Sequence, residues 1–92
     1  MQLNRKEQRK FEMKLKYIGK SFGVDSLTNG CIYDVVEVET EIGAFRVIDD
    51  SGEDYLYSIS NPKPIANPAH PGGRWEIIED DENGTLLKAF AL

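Results

Sequence analysis

Ala44–Ser58 reads A-F-R-V-I-D-D-S-G-E-D-Y-L-Y-S, and this stretch decides the fold. Phe45 and Val47 alternate with Ala44, Arg46 and Ile48. Tyr55 and Tyr57 alternate with Leu56 and Ser58. Side chains that repeat every second residue mark a strand with one face on a core. Asp49-Asp50-Ser51-Gly52-Glu53-Asp54 lies between the two runs. Asp and Ser bond back to the local backbone, and glycine takes a positive φ at no steric cost. The segment is therefore a hairpin, and Gly52 is expected in the left-handed region.

The same period extends upstream. Phe11, Met13, Leu15 and Tyr17 share one side, with Glu12, Lys14 and Lys16 on the other. Gly19 ends this strand, and Lys20 to Gly30 is a loop closing on the Asn29-Gly30 turn pair. Cys31 to Glu39 is a second strand, rich in β-branched residues. Val35 and Val36 break its alternation, which marks a bulge or a strand covered on both faces. Glu41-Ile42-Gly43 turns into the hairpin.

Downstream the texture changes. Asn61 to Gly73, N-P-K-P-I-A-N-P-A-H-P-G-G, holds all four prolines. Proline lacks a donor and fixes φ, so this is an ordered loop, a polyproline stretch or a short 3₁₀ turn, not a central strand. Arg74 to Glu79 is a strand anchored by Trp75, which is expected to be at least half buried. Asp80 to Gly84 is a second acidic turn, and Thr85 to Phe90 is expected to pair back as a last strand.

Ninety-two residues make one domain with one core. Residues 1–10 read as a polar leader and 11–92 as the folded body. Asn4 and Glu7 resemble a helix start, but no apolar stripe follows, so a disordered or frayed helical leader is expected. Charge is split. Residues 1–20 carry seven Lys/Arg against two Glu (+5); the rest carries four basic against fourteen acidic residues (−10). Phosphate binding needs clustered cations, so an acidic body argues against nucleic acid on its surface. One cysteine cannot form an internal disulfide, and the N-terminus lacks an apolar signal core. No apolar run is long enough to span a bilayer. A cytoplasmic protein with no membrane contact is expected, of bacterial, phage or plasmid origin. A monomer is favoured.

Five or six short strands and tight turns predict an all-β fold, a small antiparallel barrel or a pair of orthogonally packed sheets; the barrel, which also disposes of exposed edges, is favoured. Three segments carry a resemblance: Y-I-G at 17–19, L-T-N-G-C-I-Y-D-V-V at 27–36, and F-R-V-I-D-D-S-G-E-D-Y-L-Y at 45–57. Together they resemble a family of short SH3-like barrel proteins from low-GC Gram-positive bacteria and their phages. The motif is Gly30, Tyr33, Val35, Asp49-Asp50-x-Gly52 and Tyr55. It covers residues 14–60 well and the Trp75 strand less closely. The resemblance implies a fold and brings no catalytic residues. Peptide-binding SH3 domains match in architecture only. Tyr17 to Phe22 stands where their A-L-Y-D-Y segment would be, and Trp75 is solitary.

Each candidate chemistry has a plainer alternative. Asp49, Asp50, Glu53 and Asp54 offer oxygens to Ca²⁺, but the spacing is wrong for an EF-hand loop. A solvated turn is the favoured reading, and no metal or cofactor is expected. Cys31 and His70 lack the orienting group and oxyanion site of a nucleophilic pair. Cys31 is expected buried or half-buried at a strand start, and His70 exposed in the proline loop. Structural zinc lacks ligands. Tyr55 and Tyr57 share a face; filling the core is favoured over forming a contact patch. A non-enzymatic module that binds a protein or peptide is the leading expectation, with Tyr55, Tyr57, Pro62, Pro64 and His70 as candidate contacts. The alternative is an accessory nucleic-acid binder using Arg5, Lys6, Arg9 and Lys10.

Overall fold

The computed structural model describes residues 12–91. The leader, with Arg5, Lys6, Arg9 and Lys10, lies outside the described residues, as does Phe11, expected at the start of the first strand. Five strands form one antiparallel sheet: β1 (Met13–Gly19), β2 (Ile32–Glu39), β3 (Ala44–Ile48), β4 (Asp54–Ser58) and β5 (Gly73–Glu79). A 3₁₀ turn, Thr40–Ile42, joins β2 to β3, and a helix, α1 (Thr85–Phe90), follows β5. The all-β expectation holds. The spatial order is β4-β3-β2-β1-β5, so the sheet is open, with β4 and β5 at its two edges.

The alternations seen in the sequence set the faces. Leu15 and Tyr17 of β1, Tyr33 and Val35 of β2, Phe45 and Val47 of β3, and Trp75 of β5 form one buried cluster. Leu15 lies opposite Tyr33, Tyr17 opposite Trp75, and Phe45 opposite Tyr57. Tyr17 meets the edges of Phe22 and Trp75, each with ring centroids 5.8 Å apart. Each such fully buried side chain removes enough apolar area from water to contribute about 1.5–3 kcal/mol. The β2–β3 register shifts between Val35 and Glu37, so adjacent Val35 and Val36 mark a bulge. Gly52 has φ 85°, as the turn requires.

Gly19 ends β1 because it sits opposite Gly73. A Cβ on Gly19 would stand 2.6 Å from the Gly73 Cα. Two glycines let β1 and β5 close over the Tyr17 ring, whose hydroxyl donates to the Lys20 carbonyl at 2.7 Å.

Four expectations need correction. Thr85–Phe90 is a helix, not a strand. The preceding aspartates serve its free N–H groups: Asp81 Oδ1 accepts from Thr85, Asp80 Oδ1 from Leu86 and Asp80 Oδ2 from Leu87. That satisfies the orphan donors and places negative charge at the positive end of the helix. Leu86 and Ala89 are buried at helical spacing, and Phe90 meets Phe45 with centroids 5.5 Å apart. Secondly, Cys31 is exposed. It precedes β2, where its N–H donates to the Thr28 carbonyl in the turn. Thirdly, His70 is only 5% exposed. Its Nδ1 accepts from the Gly72 N–H at 2.8 Å and its ring meets Phe22 at 5.0 Å, so the proline loop folds inward there. Pro62 is fully buried too and presents no contact surface. Fourthly, the Asp49–Asp54 turn is not simply solvated, because Asp49 is buried.

Candidate interaction groove

Buried Tyr33 and half-buried Tyr57 hold the hairpin turn, and Tyr33 ties it to the loop after β1. Tyr33 OH donates to Asp50 Oδ1 at 2.8 Å and accepts from the Thr28 N–H at 2.7 Å. Thr28 Oγ1 donates to the other oxygen of Asp50, and the Asp50 N–H to the Ser26 carbonyl. Tyr57 OH donates to Asp49 Oδ2 at 2.6 Å, while Asp49 Oδ1 accepts from Ser51. Both carboxylates are therefore occupied by internal donors, which gives the turn's first two acids a structural use. Burial pushes both phenols well above the ordinary tyrosine range, and each aspartate partner opposes a phenolate; for Tyr33 the Thr28 N–H acts the other way. These groups remain neutral donors across ordinary pH.

With the loop fixed, a groove opens over the hairpin. Phe22 and Asp25 come from the loop, Tyr55, Leu56 and Tyr57 from β4, and Lys63, Pro64 and Ile65 from the proline loop. Its volume is about 640 Å³. A second cavity of about 490 Å³ continues it along Leu56, Tyr57 and Ser58, again facing Lys63, Pro64 and Ile65. Tyr57 forms the inner wall, with its ring on Phe22 and Trp75. Tyr55, expected to fill the core with Tyr57, is instead half exposed at the sheet edge, and its hydroxyl donates to Glu53 at 3.2 Å; that bond is the main cause raising its pKa. Ile65 is 100% exposed and Leu56 is 41% exposed. Asp25 makes no ion pair or hydrogen bond among the described residues.

Of the contacts expected from the sequence, the structure brings Tyr55, Tyr57 and Pro64 together and leaves Pro62 and His70 in the interior. The sequence reading missed Phe22, Asp25, Leu56 and Ile65. Ile65 alone carried a signal: it is the one large aliphatic side chain in a proline-rich run. No group of three or more His, Cys, Asp or Glu among the described residues is arranged to hold a metal. No helix among them is long and apolar enough to cross a membrane. In comparisons with protein-family models, curated proteins and solved structures, the chain matches none.

Proposed function

We propose that the protein is a non-enzymatic interaction module whose groove along β4 takes a protein or peptide partner. The observation that carries this reading is the exposed apolar set Ile65, Leu56 and Tyr55 around one open groove. Exposed apolar surface gathered beside rigid aromatics is the usual make-up of a contact site. The inner wall is held by the Tyr57–Asp49 hydrogen bond, so little ordering cost attends binding on that side.

The same proposal includes an SH3-like barrel, as the resemblance of residues 14–60 implies. Supporting it, Trp75 Nε1 of β5 donates to the Ser58 carbonyl of β4 at 3.0 Å, joining the two sheet edges through a side chain. A cytoplasmic setting belongs to the proposal as well. An exposed, unpaired Cys31 suits a reducing compartment. Asp25 on the groove and the acidic balance of residues 21–92 oppose phosphate, so nucleic acid is not the partner proposed for this face.

A displayed random-peptide library selected on the folded protein tests the groove. Enriched peptides should lose about tenfold or more in affinity, some 1.4 kcal/mol, on Tyr55→Ala or Ile65→Asp. They should tolerate Leu87→Ser on α1. Binders indifferent to both groove substitutions would sink the reading.

A further inference from the structure

The geometry points to strand addition: an extended, basic and apolar segment of a partner protein pairs with the free edge of β4. This rests on the groove being an interaction site and says how it is used.

The hydrogen-bond parity of β4 carries the argument. At the ends of the hairpin the Ile59 N–H donates to the Gly43 carbonyl, and the Asp49 N–H to the Glu53 carbonyl. Residues 43 and 59, like 49 and 53, extend the register in which Phe45 faces Tyr57 and Val47 faces Tyr55. In an antiparallel ladder bonded and non-bonded pairs alternate. Tyr55 and Tyr57 thus spend their backbone groups on β3, while Asp54, Leu56 and Ser58 point theirs away from it. The Ser58 carbonyl agrees with this direction, because it accepts from the Trp75 side chain of β5. By that parity the Leu56 N–H and C=O make no bond to β3, and no turn, loop or side-chain bond involves them among the described residues. They open where the groove passes between β4 and the Lys63–Ile65 wall.

An unprotected edge is usually guarded by lysine, proline or a bulge. Between Tyr55 and Ser58, β4 has none of these. A strand laid there obtains backbone bonds from Leu56, and its alternate side chains meet the Tyr55, Pro64 and Ile65 surface. Charge selects the occupant. Among the described residues Asp25 lines the groove unpaired, Glu53 and Asp54 stand at the start of β4, and Lys63 is the one cation lining the groove. A partner strand alternating basic and apolar residues complements that rim. A second copy of this chain would bring two acidic rims together, with −10 over residues 21–92 of each.

The probe is a short capped peptide of alternating lysine and valine, titrated at physiological ionic strength and followed by amide resonances and hydrogen exchange. In the free protein the Tyr55 and Tyr57 amides should be protected and Leu56 should exchange fast. The peptide should slow Leu56 exchange and shift its resonance. Peptides N-methylated at alternate amides, made in both registers, should include one that binds about tenfold more weakly. The glutamate–valine counterpart should also bind about tenfold more weakly, and Asp25→Lys should reverse that preference. No binding up to millimolar peptide, equal binding by both methylated peptides, or protection at β5 instead of Leu56 would overturn strand addition. The library selection separates the two levels: binders sensitive to Ile65→Asp yet tolerant of N-methylation keep the groove and remove the added strand.

Discussion

Trp75 is the residue on which both halves of the fold depend. Its ring lies among Tyr17, Phe45 and Tyr57, and its N–H bridges to β4. Trp75→Ala should cost about 3–5 kcal/mol, as a large core truncation does. Trp75→Phe should cost less, because it keeps most of the apolar contact and removes the bridge. Chemical denaturation of the two variants gives the comparison, and equal losses would mean the bridge contributes nothing. The turn offers an opposite case. Gly52 has φ 85° and open space around a would-be Cβ. Gly52→Val should therefore cost only the backbone term, about 1–2 kcal/mol. The two hydrogen-bonded phenols give a pH test. Tyr33 and Tyr57 have folded pKa values above the unfolded one, so both states are neutral below about pH 10 and their stabilisation is whole there. Above that, the unfolded chain ionises first and stability falls as pH rises toward the folded values. The melting temperature of Tyr33→Phe/Tyr57→Phe should start lower, since two hydrogen bonds are lost, but fall less steeply between pH 10 and 11.5 (roughly the window above the unfolded pKa). An unchanged slope would place the alkaline transition elsewhere.

Strands were easier to read than the helix, and the reason is physical. The Leu15/Tyr17 and Phe45/Val47 pairs sit on sheets with one buried face, so a period of two survives in the sequence. The Val35–Val36 break was visible as well, because a bulge adds a residue without erasing the pattern on either side. T-L-L-K-A-F is too short to display a helical period, and its start depends on side chains outside it. Leucine, lysine and alanine are strong helix formers, and Asp80-Asp81 before Gly84-Thr85 was the available signal. Asp80→Ala should uncap Leu86 and Leu87 and cost about 1 kcal/mol. Asp81→Ala should lower the melting temperature too. The Thr85 hydroxyl and N–H hold the Asp81 carboxyl below its usual range, so its stabilisation is present above the unfolded pKa and disappears as pH falls through the folded one. A wild-type stability advantage over Asp81→Ala should therefore shrink below about pH 4. An advantage that persisted unchanged into acid would show that the carboxylate form is not what holds α1.

At the scale of the whole molecule, the groove was only half legible because it is made by the chain's return. Tyr55, Tyr57 and Pro64 stand out by residue type. Leu56 and Ile65 become neighbours only when the proline loop folds beside β4, and His70 changes sides for the same reason. That return also brings the last strand to the first. β1 pairs with β2 nearby in sequence and with β5 across the whole chain, Lys14 meeting Glu79. Loop closure must precede such a distant contact, and non-local pairing slows folding. The β3–β4 hairpin, with its tight turn and the Tyr33–Asp50 and Tyr57–Asp49 bonds, has the shorter route. The hairpin is expected to form before β5 docks. Trp75 is the only tryptophan and reports β5 docking by fluorescence. In denaturant-jump kinetics, Val47→Ala should mainly slow folding, whereas Ile77→Ala on β5 should mainly speed unfolding. Both side chains pack on the same core, so equilibrium loss alone does not separate them; the partition between the two limbs does. If Ile77→Ala slowed folding as much as Val47→Ala, closure of β5 onto β1 would belong to the nucleus. The groove wall, which needs the proline loop pinned between β4 and β5, would then be set early and not last.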